Sequence, residues 1–207
     1  MKKGKFIVFE GIDGSGKTTQ AEILCERLKK CGISAETTRE PTDGEIGKLI
    51  RRALTREITF SEQTMSMLFA ADRTEHILGT DGILEKVNSG ISVVSDRYYF
   101  SSYAYNSVGV PLERVVELNG LNRELMQPDI TVFIDVSVDE AMRRISKSRA
   151  GTELYEKKER LTIVRENFFD VFKRMGENVA IIPANSDIDK VAECVWESVR
   201  GILGDTL

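Results

Sequence analysis

Short strand-sized runs recur along the chain, separated by longer stretches in which apolar residues return every third or fourth position. KFIVFE at 5 to 10, Ser34 to Thr38, Ile91 to Ser95, Ile130 to Asp135 and Val179 to Pro183 are the strand candidates. Lys17 to Lys30 carries Ala21, Ile23, Leu24 and Leu28 at helical spacing, and residues 44 to 54 and 60 to 88 also read as helices. Strands that alternate with helical crossovers predict an α/β fold: a doubly wound, five-stranded parallel sheet flanked by helices, with ligands at the carboxyl ends of the strands.

Composition narrows this picture. With 207 residues, 41% hydrophobic and 30% charged, the chain has the size of one domain spanning residues 1 to 207. Its longest apolar runs fall far short of the roughly 20 residues that cross a bilayer, so no membrane partner is expected. The basic start is followed too soon by Glu10 and Asp13 for a secretory signal. A net charge of -4 leaves no general basic footprint for nucleic acid. Three cysteines without paired ligand spacing and one histidine, His76, offer little for a zinc site. Reduced thiols and a cytoplasmic location follow, with His76 expected on a helix surface.

The chemistry begins between the first strand and the first helix. Gly11-Ile12-Asp13-Gly14-Ser15-Gly16-Lys17-Thr18 matches the pattern G-x-x-x-x-G-K-S/T in the context that the pattern requires. Glycines let the backbone turn its N–H groups around phosphate oxygens, and the following helix adds its positive dipole end. Gly11 to Thr19 therefore forms the expected ATP site. Lys17 reaches the β and γ phosphates, and Thr18 offers its hydroxyl to Mg²⁺. The loop does not reveal whether water or a substrate takes the phosphoryl group.

Three further segments address that choice. Asp96 and Arg97 follow a buried strand, where an acid serves Mg²⁺ through water and an arginine serves a phosphate. Thr38-Arg39-Glu40-Pro41 follows the second strand, and Phe69 and Arg73 share one helix face at i and i+4, able to stack and hydrogen-bond a flat base.

FEGIDGSGKTT, TREP, LFAADR, DRYYFSSYAY and PDITVFIDV, in this order, resemble the thymidylate kinases from about residue 5 to the C-terminus. The resemblance implies the P-loop nucleoside monophosphate kinase fold and transfer of the γ-phosphoryl group of ATP to thymidine monophosphate, giving ADP and thymidine diphosphate for DNA synthesis. It implies that Asp13 meets the deoxyribose 3′-hydroxyl, Phe69 stacks on thymine and Arg73 hydrogen-bonds it. Ser102, Tyr105 and Asn106 then line the nucleoside pocket, with Asn106 standing where many members carry a longer Gln. Arg97 with Arg39 holds the acceptor phosphate. Thr42-Asp43-Gly44 replaces a commoner double glycine, which leaves Arg51 as the alternative to Arg39. A homodimer through the long helices, including Met65, Met67 and Leu68, is also implied.

Residues 143 to 158 pack Arg143, Arg144, Lys147 and Arg149 before a glycine and resemble a lid over ATP. The phosphate loop carries no arginine of its own, so by the family's logic the lid supplies the transition-state cation, Arg149 first and Arg143 second. Leu154-Tyr155-Glu156 matches the bacterial-type lid only in part. Two rival functions remain at this point: a deoxynucleoside kinase acting on a 5′-hydroxyl, and a nucleotide-binding switch module.

Overall fold

The structure, a computed structural model, describes residues 3–145, 152–185 and 187–204. Five strands, β1 (Phe6–Glu10), β2 (Ala35–Arg39), β3 (Ser92–Asp96), β4 (Ile130–Asp135) and β5 (Val179–Pro183), form one parallel sheet in the order β2-β3-β1-β4-β5. All five strand candidates are met to within a residue at each end.

The phosphate loop leads into α1 (Lys17–Lys30), and α2 (Glu45–Leu54) and α3 (Glu62–Leu78) follow β2. Next come α4 (Ile83–Asn88), α5 (Tyr99–Tyr105), a 3-10 turn at Asn106–Val108, α6 (Leu112–Leu118) and α7 (Gly120–Leu125). After β4 stand α8 (Val138–Ile145) and α9 (Thr152–Met175), and α10 (Ile188–Leu203) follows β5.

Because each face of a parallel sheet is covered by helices, its central strand is apolar on both sides. In β1, Phe6 and Val8 enter one core, with Tyr99, Tyr103, Phe133, Phe168 and Phe172. Ile7 and Phe9 enter the other, with Leu24 and Leu28 of α1 and Val195 and Val199 of α10. Each of these four side chains is fully buried, worth roughly 1.5–3 kcal/mol apiece on transfer from water.

One expected helix is two. The stretch 60 to 88 breaks between Leu78 and Ile83, where Asp81 adopts φ 61° and the Gly82 N–H closes a turn on the Gly79 carbonyl at 2.9 Å. A side chain on Gly82 would bring Cβ within 2.6 Å of the Ile77 carbonyl oxygen, so the glycine permits the tight exit from α3.

Parallel pairing sets the register of the working edge. Arg39 lies opposite Asp96, and Asp96 opposite Phe9, so the ends of β2, β3 and β1 share one rim of the sheet. Asp135, the last residue of β4, pairs with Pro183 on the far side of β1.

Candidate active site

The phosphate loop rises from the end of β1. Gly14 takes φ 80°, and a Cβ there would come within 2.7 Å of the Ala141 carbonyl oxygen, so only glycine fits the crossing under α8. Gly16, at φ 94°, turns the chain into α1. Lys17 is buried and donates from Nζ to the Ile12 carbonyl at 3.3 Å. Burial, then the neighbouring Arg97, lowers its pKa to about 8.

At the start of α1 the Thr18 hydroxyl donates to Asp96 Oδ2, while Asp96 Oδ1 is buried without a hydrogen-bond partner among the described residues. A hydroxyl and a carboxylate with an unused oxygen are hard donors suited to Mg²⁺ and its waters, so the residues fit that ion. No cluster of three His, Cys, Asp or Glu side chains spaced for a metal occurs among the described residues.

Beside the loop, Arg97 occupies φ 77°, uncommon for a residue with a side chain. Its Nη2 donates to Asp13 Oδ1 at 2.5 Å and its Nη1 to Ser101 Oγ at 2.9 Å, with the guanidinium 4.9 Å from the Tyr105 ring centre. The Tyr105 hydroxyl accepts from the Asp13 N–H at 2.9 Å and donates to Asp13 Oδ1 at 3.2 Å. Burial acts to raise the Asp13 pKa, but Arg97 and Lys17 outweigh it and hold the carboxyl below its usual range. Asp13, Arg97, Ser101 and Tyr105 are thus brought together.

Under this group lies Glu10, which sequence reasoning left without a role. It is fully buried; Oε1 accepts from the N–H groups of Tyr98 and Ser101, both at 2.9 Å, and Oε2 from the Ser101 hydroxyl at 2.5 Å. Burial pushes its pKa up to about 7 against the pull of Ser101 and Arg97.

Arg73 is 1% exposed. Glu40 Oε2 accepts from its Nε at 2.9 Å and its Nη2 at 2.5 Å, Ser102 Oγ accepts from Nη1 at 3.1 Å, and Asn119 Oδ1 accepts from the same nitrogen. The expectation of a surface histidine is corrected: His76 Nδ1 lies 3.1 Å from Glu40 Oε1 and Nε2 lies 2.6 Å from Thr38 Oγ1, because one helical turn beyond Arg73 still faces β2. Asp72 binds the Thr42 N–H at 2.8 Å and the Thr42 hydroxyl at 2.6 Å. Helix α3 therefore grips the 38–42 segment at three residues. Phe69 is half-buried one turn before Arg73, and Asn106 presents a buried Nδ2 without a partner among the described residues.

Asp43 joins both candidate phosphate arginines. Its Oδ1 accepts from Arg39 Nη2 at 3.1 Å and from Arg51 Nη2 at 2.8 Å. Arg51 also donates to the carbonyls of Pro41 (2.6 Å) and Thr42 (2.5 Å), whereas Arg39 has 62% of its side chain exposed.

On the opposite side of the loop a cleft of about 550 Å³ is lined by Ser15, Thr19, Gln20, Arg143, Arg144 and Asn185 among others. Arg144, marked in the sequence only as one of the lid's basic residues, bridges the loop carbonyl of Ser15 (3.0 Å), the carbonyl of Ala184 (3.1 Å) and Glu140 (2.8 Å). Arg143 pairs with the same Glu140. Arg149 lies outside the described residues.

A missed carboxylate was discoverable: an arginine on the inner face of a helix needs a partner, and Glu40 in TREP is the nearest acid on the facing strand end. Nothing in the pattern marked Asn119, and Arg144 stood out only as one of the lid's basic residues.

Residues 9–195 match the family model described as Thymidylate kinase. The chain is 38% identical over 195 residues to a probable thymidylate kinase of Thermococcus onnurineus, covering 90% of this chain and 92% of that protein. It is 39% identical over 204 residues to a probable thymidylate kinase of Methanococcus maripaludis, covering 98% and 93%. A probable thymidylate kinase of Pyrococcus horikoshii is 38% identical over 195 residues, covering 91% and 92%.

Proposed function

The chain belongs to the thymidylate kinase family, an ATP-dependent kinase converting thymidine monophosphate to thymidine diphosphate, and on that premise we propose how its residues share the transfer. An oxygen of the acceptor phosphate attacks the γ-phosphorus of ATP. The bond from that phosphorus to the β,γ-bridging oxygen breaks, and ADP leaves with the electron pair. A phosphate monoester is already nucleophilic, so the protein's work is alignment and neutralisation of charge.

Gly11 to Thr19 cradles the triphosphate, with Lys17 on its β and γ oxygens, and the cleft beside Arg144 takes the adenosine end. Thr18 would hold Mg²⁺ and Asp96 would serve it through water; when bound, the ion would supply charge neutralisation to the triphosphate. Arg97, with Arg39 or Arg51, holds the acceptor phosphate. Asp13 and Tyr105 meet the sugar, Phe69 stacks on the base, and Arg73, Ser102 and Asn106 address its polar edge. The region 143–158 acts as a lid that brings a cation, Arg149 or Arg143, to the transferring group.

The observation that carries this reading is the clustering of Lys17, Arg97 and Asp96 around one loop, with a second arginine group, Arg39 at the end of β2 and Arg51 on α2, joined through Asp43. A coupled ADP-release assay with Mg²⁺ compares thymidine monophosphate with thymidine as acceptor. Turnover with the monophosphate is expected; turnover with thymidine alone would transfer the reading to a deoxynucleoside kinase, and ADP release indifferent to any nucleotide acceptor would favour a switch module.

Helix α3 offers a face for a second copy: Met67 and Leu78 are 57% and 52% exposed, and Leu54 of α2 and Leu121 of α7 are exposed as well. A homodimer is our reading of that face. No described helix is long and apolar enough to cross a membrane. Cys25, Cys31 and Cys194 are all unpaired thiols, which supports a cytoplasmic, reducing setting.

A further inference from the structure

We propose that Glu10 and Ser101 are positioning residues that act in series on Arg97, so that the acceptor-phosphate arginine is aimed from inside the core. The proposal rests on the reading of Arg97 as the group that meets the acceptor phosphate.

Glu10 is an acid at the end of the central strand, with no exposure and no ion pair of 4 Å or less among the described residues. Such a group is costly to bury, and three hydrogen bonds offset the cost here. Its three donors all belong to the start of α5. Two are the backbone N–H groups of Tyr98 and Ser101, which no capping side chain of α5 itself satisfies. The third is the Ser101 hydroxyl.

The direction of that third bond matters. Ser101 spends its proton on Glu10 Oε2, which leaves its oxygen lone pairs to accept from Arg97 Nη1 at 2.9 Å. When ionised, above its pKa of about 7, the carboxylate has no proton to give and so fixes the hydroxyl in this sense. Arg97 is then held at one end of its fork by Ser101 and at the other by Asp13.

The backbone agrees. The Arg97 N–H donates to the Phe9 carbonyl at 2.9 Å and the Arg97 carbonyl accepts from Ser95 Oγ at 2.8 Å, immediately before the Tyr98 N–H held by Glu10. A residue at φ 77° persists only when its surroundings over-determine it, and Glu10 supplies the downstream half of that restraint.

The test uses Glu10→Gln and Ser101→Ala, alone and together, in the intact chain and in an Arg97→Ala background. Turnover and KM for thymidine monophosphate are measured by ADP release, and ATP affinity by calorimetry. Either single change is expected to lower kcat/KM for the monophosphate by about tenfold or more, since small misplacements of a reacting group cost up to about 10²-fold. ATP affinity should stay within about twofold, and the double variant should lose about what the worse single variant loses, because serial elements are not additive. In the Arg97→Ala background neither change should matter further.

Additive losses, equal losses in ATP affinity, or a further loss without Arg97 would overturn the relay. If Glu10→Gln does not fold, Ser101→Ala, which keeps both backbone bonds, decides alone: activity within about twofold of the parent chain refutes the proposal. Should Arg97→Ala itself keep full activity, the reading of Arg97 fails instead, and the two failures are told apart.

Discussion

One oxygen of Glu40 accepts two N–H groups of Arg73, at 2.9 and 2.5 Å, while its other oxygen faces His76 Nδ1 at 3.1 Å. The carboxylate therefore joins the arginine assigned to the base with the histidine that reaches the end of β2 through Thr38. Both members of the ion pair are buried, with 1% and 3% of their side chains exposed.

Removing one side of such a pair leaves an uncompensated charge in the core. Glu40→Ala is expected to destabilise the fold by about 3–5 kcal/mol, measured as the shift of a urea unfolding midpoint at constant slope. A loss below about 1 kcal/mol would mean that Arg73 finds water or another acceptor, and that the pair does not anchor α3 to the 38–42 segment.

Glu10 gives stability a pH dependence of unusual sign for an acid. Its pKa rises from 4.5 to about 7 on folding, so the folded state binds more protons between those values, and stability falls as pH climbs through that window. Above about pH 7 the full penalty, roughly 3 kcal/mol, is present. Glu10→Gln removes this titration. The stability of the variant relative to the parent chain should therefore grow by a few kcal/mol, ~3 at most, between pH 4.5 and pH 8 in paired denaturant titrations. A difference that stays flat across that range contradicts the burial of an ionisable Glu10.

Much of this was legible in the order of the residues. The phosphate loop specifies its own conformation through glycines at fixed offsets, and the parallel strands announce themselves as short runs bounded by turns. The end of α3 was harder to read, because Gly79 and Gly82 break a helical apolar period that continues into α4. Of the side-chain partnerships over long sequence distances, Glu40 with Arg73 had only the general signal that an inward-facing arginine needs an acid, and Glu10 with Ser101 had none. They depend on which strand ends become neighbours, and that follows from sheet order, which local periodicity does not encode. His76 shows the same limit: surface and site differ by one helical turn.

The two arginines proposed for the acceptor phosphate are expected to differ. Arg51 is fixed by two backbone carbonyls and Asp43, whereas among the described residues Arg39 meets Asp43 alone, and it is largely exposed. A preorganised cation contributes more to a charged transition state than a mobile one. Arg51→Ala should lower kcat/KM for thymidine monophosphate by about 10²-fold and Arg39→Ala by less than about tenfold, read by steady-state ADP release. The reverse order would assign the acceptor phosphate to Arg39.

The exposed face of α3 makes a prediction about assembly. Met67→Asp places a charge on the exposed apolar side chain of that face and should convert a dimer to a monomer in sedimentation velocity at micromolar concentration. Far-ultraviolet circular dichroism should be unchanged, because Met67 is 57% exposed in the single chain. If the parent chain already sediments as a monomer, this face does not pair with its own copy.

The pairing of Arg39 with Asp96 and of Asp96 with Phe9 turns the hydrogen-bond ladder of the sheet into a ruler for the reaction. A slip of one residue in β3 would carry Asp96 along by about 3.3 Å and point it to the opposite face. Distances between donor and acceptor are thus inherited from main-chain geometry, which substitutions do not readily alter. On the proposed reading, Phe69 of α3 can be exchanged to retune which base is admitted while the track along which phosphorus travels stays the same.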